Sequence, residues 1–181
     1  AGTGSPDDIG FGVSYFDGQT WTTFTEDDGL VSNRVTSVAV APDGVVWIGT
    51  DAGISRFDER VWDTYLEDEF VDSIFVLPDG TLWVGAFHWV GRSPRYGVFY
   101  FDGQRWSTHF VDDQVTDIAM APDGILWIST YDRGVSRFDG QDWVTYTQED
   151  GLIDNYVLSI GVAPDGAVWF GTYSGISRFH G

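Results

Sequence analysis

The chain has 181 residues, 43% hydrophobic and 17% aromatic, enough to bury a full core, and it lacks the run of about eighteen apolar residues that a membrane-crossing helix requires. Nine Lys and Arg against 28 Asp and Glu give a formal charge of −19, whose long-range field repels the phosphate backbone of nucleic acid and anionic membrane surfaces and argues against both as partners. With no cysteine, neither disulfides nor thiolate metal sites can form, a composition that suits the cytosol and the bacterial periplasm equally.

Residues 1–11 read as a tail without the features of a signal peptide. Gly12-Val-Ser-Tyr-Phe-Asp-Gly18 alternates apolar and polar positions, reaches an Asp-Gly turn, and leads into Trp21-Thr-Thr-Phe24. From residue 35 a fuller unit begins: the run Val35-Thr-Ser-Val-Ala-Val40 meets Pro42-Asp43-Gly44 and is followed by Val45-Val-Trp-Ile-Gly-Thr50. Pro presets φ at the first turn position and Gly accepts the positive φ of a tight reversal, so the two runs form an antiparallel hairpin.

The second half of the unit is Gly53-Ile-Ser-Arg-Phe-Asp58, whose period of two puts one face inward, and then a Trp-led run from Trp62. These are four strands, A to D. Pro-Asp-Gly and Trp return at Asp79 and Trp83, Asp123 and Trp127, and Asp165 and Trp169, in steps of about 36, 44 and 42 residues, the period of propeller blades. Whole units are expected at about 35–66, 71–110 and 115–146, while 157–179 supplies A, B and C of another, and 12–24 a C and a D strand.

A lone four-stranded sheet cannot bury both faces, so the units must stack, and stacking about an axis gives an all-β fold: a β-propeller of four-stranded antiparallel blades in a single domain over residues 1–181. Four of the nine Trp sit in B strands and four open D strands, where they build the seams; Trp89 stands apart. The expected closure is a ring of four blades in which the D strand of 12–24 joins 157–179. That leaves a C-type strand, 12–18, which can lie outside the ring, displace its twin, pair with another chain or reflect a larger ring.

Gly-Leu at 29–30, Asp-Gly-x-x-Trp-x-Gly-Thr at 43–50 and Gly-x-x-Arg-Phe at 53–57, recurring in register, resemble the two-component-regulator propeller repeat over nearly the whole chain. The resemblance implies a bacterial sensor-type β-propeller, extracytoplasmic (periplasmic or secreted), that binds oligosaccharides or other small ligands. Such sensors usually carry many more blades, a membrane anchor and signalling domains, so only the ligand-facing part of that role could reside here.

The D-to-A and B-to-C connections share one face of the disc, where function is expected because the opposite turns are tight Asp-Gly reversals. Residues 87–96 form an insertion there, bringing His88, Trp89, Arg92, Arg95 and Tyr96 together for stacking on a sugar ring or gripping a carboxylate. Tyr131, Arg133 and Tyr173 of other B-to-C connections, with Arg34 and Tyr156 at the ends of D-to-A connections, line a central pocket beside it. The alternative for all of these is packing over neighbouring blades.

The chain carries none of the usual nucleophile or zinc signatures, and the histidines are His88, His109 on a D strand and His180. A non-enzymatic binding module without cofactor is therefore expected; a propeller lyase or hydrolase using His and Glu with Mg²⁺ is the least favoured reading. The acidic connections 26–28, 67–69, 112–113 and 149–150 lack EF-hand spacing and read as solvated loops rather than calcium sites. The competing class is an assembly unit that self-associates or takes a protein partner through its terminal strands.

Overall fold

The computed structural model describes residues 10–111 and 113–179, all β apart from two single-turn 3₁₀ segments. A two-stranded sheet opens the chain, β1 (Val13–Phe16) and β2 (Trp21–Phe24). Three four-stranded antiparallel sheets follow. The first holds β3 (Val35–Val40), β4 (Val46–Thr50), β5 (Gly53–Phe57) and β6 (Trp62–Tyr65). The second holds β7 (Phe70–Val76), β8 (Leu82–Val90), β9 (Ser93–Phe101) and β10 (Trp106–Val111). The third holds β11 (Val115–Met120), β12 (Leu126–Thr130), β13 (Val135–Phe138) and β14 (Trp143–Tyr146). A three-stranded sheet ends the series, β15 (Val157–Val162), β16 (Val168–Thr172) and β17 (Gly175–Phe179).

The turn chemistry is local. Gly44 takes φ 90° while the Asp43 carboxylate accepts the Val45 N–H at 3.1 Å. In the C-to-D turns Asp17, Asp102 and Asp139 each accept two backbone N–H groups, which holds their carboxyls below the usual range. Asp58 does the same, but Glu59 sits at φ 70° where the sibling turns have Gly18, Gly103 and Gly140, so this turn is strained.

Period-two alternation gives every sheet two apolar faces, and successive sheets pack face to face. Trp47 and Ile54 meet Val71, Leu82, Val84 and Phe99. Trp83 and Val98 meet Val115, Ile118, Leu126 and Ile128, and Trp127 and Val135 meet Val157, Val168 and Phe170. Each buried indole contributes roughly 4–6 kcal/mol as an upper bound. The A strands β3, β7, β11 and β15 lie side by side along the inner edge. Two of these three adjacencies need a glycine opposite a valine: a Cβ added to Gly49 would stand 2.6 Å from Val71 Cγ1, and one added to Gly85 only 2.5 Å from Val115 Cγ1. Gly85→Ala should therefore force the second and third full sheets apart and destabilise by about 1–3 kcal/mol in urea denaturation.

The expected completion of the last sheet by Trp21–Phe24 is not found. β2 pairs with β1 from Phe16↔Trp21 to Val13↔Phe24, β15–β17 stays three-stranded, and the described residues form no closed ring. The reason is local: Phe24 packs on Phe57 and Trp62 with ring centroids at 5.2 and 5.6 Å, and the Gly12 N–H donates to the Asn33 carbonyl at 3.0 Å. A tight hairpin to the surplus strand closes a far shorter loop than pairing with residue 175 onward.

Candidate functional site

The 87–96 insertion is not a loop. It extends the β8–β9 hairpin in unbroken register, Phe87↔Tyr96, His88↔Arg95, Trp89↔Pro94 and Val90↔Ser93, around Gly91 at φ 67°. Phe87 stacks on Phe70 at 4.9 Å and lies 5.5 Å from Tyr96, so ring packing carries the strands outward. Alternation then divides the expected cluster. Phe87, Trp89 and Tyr96 share the face toward the third full sheet, His88 and Arg95 the face toward the first, and Arg92 lies at the exposed tip.

On the His88 face, Nδ1 lies 2.9 Å from Glu69 Oε1, close enough for an ion pair although the geometry is not that of an aligned hydrogen bond. Burial raises the Glu69 pKa, with His88 opposing the rise, and Glu69 Oε2 has no hydrogen-bond partner.

On the other face the structure assembles a group that bridges two sheets, β11–β14 and β15–β17. Tyr131, Tyr156 and Tyr173 meet edge to face, with centroids 5.3 Å apart for Tyr131–Tyr156 and 6.0 Å for Tyr156–Tyr173. Backbone bonds fix them, since the Tyr131 N–H donates to the Gln114 carbonyl at 3.0 Å and the Tyr173 N–H to the Tyr156 carbonyl at 3.1 Å. They nonetheless remain 43, 42 and 67% exposed, a large aromatic surface left to water. The Tyr131 hydroxyl titrates above its ordinary range because of Tyr173, then partial burial, Tyr156 and Asp113.

Carboxylates surround this surface. Asp113 is buried and accepts the Asp132 N–H, and its charge raises the Asp132 pKa. Arg133 Nε stands 4.0 Å from Asp132 Oδ1. At the inner edge Gln114 Nε2 donates to Asp72 Oδ1 at 2.7 Å, Asp72 Oδ2 is buried without a partner, and burial pushes the Asp72 pKa up to about 6. Burial, then Asp113, Asp72 and Asp132, raise the Tyr96 hydroxyl. A cleft of about 770 Å³ opens beside them, lined by His109, Asp113, Thr130, Asp132, Arg133 and Trp143 among others.

Of the expected residues, Tyr96, Tyr131, Arg133, Tyr156 and Tyr173 thus share one face. His88, Arg92 and Arg95 are elsewhere, Trp89 is 64% exposed on the hairpin beyond Tyr96, and Arg34 pairs with Asp51 at 3.2 Å on the first full sheet. Asp72, Gln114 and Asp132 were not singled out; His109 was read as strand surface and Asp113 as part of a solvated connection, whereas both line the cleft and Asp113 is buried. Asp72 carried a readable signal, an acid at the strand A position that Thr36 and Thr116 hold in sibling units. The repeated Arg of Gly-x-x-Arg-Phe packs on the B-strand Trp, Arg56 over Trp47 at 6.0 Å and Arg178 over Trp169 at 5.4 Å.

Other acidic connections have structural uses. Asp28 and Asp150 cap the 3₁₀ turns by accepting the Thr25 and Thr147 N–H groups at 2.9 and 3.0 Å. Asn33 and Asn155 accept the Glu26 and Gln148 N–H groups at 2.9 and 2.8 Å. Asp112 and His180 lie outside the described residues.

The family model of the two component regulator propeller matches at residues 29–52, 109–132 and 151–174, each match running through strands A and B to the B-to-C turn. The fold is similar to the extracellular domain of a putative one component system from B. thetaiotaomicron, with a TM-score of 0.72 and 19% identity over 90% of this chain and 23% of that one. It is similar to the extracellular domain of a putative hybrid two component system from the same organism, with a TM-score of 0.71 and 16% identity over 93% and 27%. A streptogramin B lyase is similar at a TM-score of 0.51 and 11% identity over 88% and 67%. The chain thus spans about a quarter of the length of the two extracellular domains. No curated protein matches the sequence. Among the described residues no helix is long and apolar enough to cross a membrane.

Proposed function

From a chain that carries two component regulator propeller repeats, we propose a non-enzymatic, sensor-type binding module that works outside the cytoplasm and takes its ligand on the Tyr131–Tyr156–Tyr173 face. The observation that carries this reading is the exposed tyrosine group bordered by the buried Asp113 and the exposed Asp132. Rings with free π-faces bind the C–H face of a sugar, while Asp113, Asp132 and Gln114 supply acceptors and donors for its hydroxyls. An anionic ligand fits poorly, because carboxylates outnumber the single guanidinium of Arg133 at this place. The ligand class is therefore a neutral oligosaccharide rather than the carboxylate that the arginines of 87–96 suggested. The His88–Glu69 pair faces away from the tyrosines, which favours binding over acid–base chemistry.

Titration calorimetry with a panel of neutral oligosaccharides tests the assignment. One of them should bind, and Tyr156→Ala should weaken it about tenfold or more, near 1.4 kcal/mol, with the melting temperature little changed. A panel without a binder, or a binder that Tyr156→Ala retains at full affinity, rejects it.

A further inference from the structure

The C strands β5, β9, β13 and β17 share one position that faces the preceding sheet, and the chain covers it in two ways. In the first full sheet the position is Ser55, and Gly29-Leu30-Val31 of the long connection 25–34 lies over it. The Val31 N–H donates to Ser55 Oγ at 2.9 Å, a Cβ on Gly29 would stand 2.9 Å from the Trp62 ring, and Leu30 is 3% exposed. In β15–β17 the position is Ser177, and Gly151-Leu152-Ile153 repeats the arrangement. The Ile153 N–H donates to Ser177 Oγ at 2.9 Å, and Leu152 packs in one apolar cluster with Phe170. In the second full sheet the connection is only 66–69, and Phe99 stands in place of the serine at 8% exposure, so a ring takes the room that a leucine takes elsewhere.

The third full sheet combines the serine with a short connection. Its C strand keeps Ser136, but only residues 112–114 separate β10 from β11, where 25–34 separate β2 from β3. Ser136 Oγ meets Thr145 Oγ1 at 2.9 Å within its own sheet, and among the described residues no backbone N–H donates to it. Register identifies the matching surface: Ile128↔Ser136 repeats Phe170↔Ser177, and Phe138↔Trp143 repeats Phe57↔Trp62. Ile128, Ser136 and Trp143 all line the cleft of about 770 Å³. The preceding sheet widens it. Its D strand presents His109 where the other D strands present Phe24, Tyr65 and Tyr146. Phe24 packs on Phe57 at 5.2 Å and Tyr146 on Phe179 at 5.4 Å, whereas His109 reaches Trp143 only at 6.2 Å and leaves it 37% exposed.

We propose that this cleft docks a peptide segment of a partner protein, which supplies from outside what the connections 25–34 and 147–156 supply from within: Gly-Leu followed by Val or Ile. The leucine lies against Ile128, the glycine against the Trp143 ring, and the next backbone N–H donates to Ser136 Oγ. Gly29 and Gly151 take φ 114° and 104°, a region that strains any L side chain, so the glycine belongs to what is recognised. The internal copies define the shape of the occupant, and charge defines its flank. Asp113 and Asp132 stand at the cleft, Arg133 Nε lies 4.0 Å from Asp132, and the chain carries −19, so a segment flanked by Lys or Arg is steered in while an acidic one is repelled. This inference is independent of the sugar reading, since Tyr131, Tyr156 and Tyr173 are not among the residues lining the cleft.

Fluorescence anisotropy with a labelled synthetic peptide tests it on the 181-residue chain. The probe has the sequence of residues 25–34 with Asp27→Lys and lysines added after Arg34, the label on the last of them. It should bind saturably with a Kd below about 1 mM, and Leu30→Ser in the probe should weaken it about tenfold or more. In the protein, Ser136→Phe copies the arrangement at Phe99, so it should keep the wild-type circular dichroism and weaken the probe about tenfold or more. Ser136→Ala removes only the acceptor and should weaken it about threefold to tenfold; it decides alone if Ser136→Phe does not fold. Tyr156→Ala should leave the probe unaffected, which keeps this result apart from the sugar titration. The absence of saturable binding overturns the proposal, as does a Leu30→Ser probe that binds equally well, the mark of charge attraction alone. Full affinity in a folded Ser136→Phe protein or in Ser136→Ala overturns it too, and so does a loss in Tyr156→Ala, which would put the probe on the tyrosine face.

Discussion

Trp127→Ala should remove about 3–5 kcal/mol of stability, a large part of the 5–15 kcal/mol that a domain usually has. The indole is 2% exposed and packs at centroid distances of 6.0 Å on Tyr146, 5.4 Å on Phe170 and 4.9 Å on Phe179. Phe170 and Phe179 belong to the sheet β15–β17, which among the described residues packs on the β11–β14 sheet through this seam. The substitution should therefore detach β15–β17 before the other sheets unfold. Hydrogen exchange would show it as early loss of protection in residues 157–179, with a shallower urea transition overall. Trp169→Ala, the same residue type at the same register but 43% exposed, should change stability by less than about 1 kcal/mol. Equal losses from the two substitutions would remove the basis for the seam.

That pair of tryptophans also shows what the sequence can and cannot convey. Trp47, Trp83, Trp127 and Trp169 occur in nearly identical strings, so strand, register and facing were all readable from period-two alternation and the Pro-Asp-Gly turns. Whether a neighbouring sheet covers a given Trp depends on how successive sheets are set against one another, which is not written in a local pattern. The same limit applies to Phe24. Its alternation marks a strand, but its partner was decided by the competition between a short hairpin and a pairing across the whole chain. At the site, the three tyrosines could be grouped because equivalent positions of successive units lie side by side. The 87–96 residues could not, because Arg92-Ser-Pro-Arg95 reads as loop while Phe87 and Tyr96 carry a ladder through it. Asp72 went unread and Asp113 was read as part of a solvated connection because burial, not residue type, gives them their character.

Asp72→Asn should stabilise the protein, and only above a defined pH. Burial raises the Asp72 pKa to about 6 from an ordinary value of 3.8, with the Gln114 hydrogen bond working in the opposite direction. Between these values the folded chain keeps a proton that the unfolded chain has lost, so this group's contribution falls as pH rises through the window, and the full penalty is present above about pH 6. The shift corresponds to at most about 3 kcal/mol. Asn keeps an oxygen to accept the Gln114 amide and removes the charge, but its own N–H₂ replaces the unpartnered Oδ2 and returns part of the gain, leaving a net of about 1–2 kcal/mol. The melting temperature should then rise by roughly 2–8 °C at pH 7.5, with the difference from wild type shrinking to nothing below about pH 4. A difference that persists unchanged at pH 4 would show that packing, not ionisation, is responsible. A carboxylate held at this disadvantage beside Tyr96 and the tyrosine face is what a binding role for Asp72 leads one to expect. Asp72→Asn should accordingly weaken the oligosaccharide that Tyr156→Ala weakens while it raises the melting temperature, and stability and affinity moving in opposite directions would separate a working residue from a merely structural one.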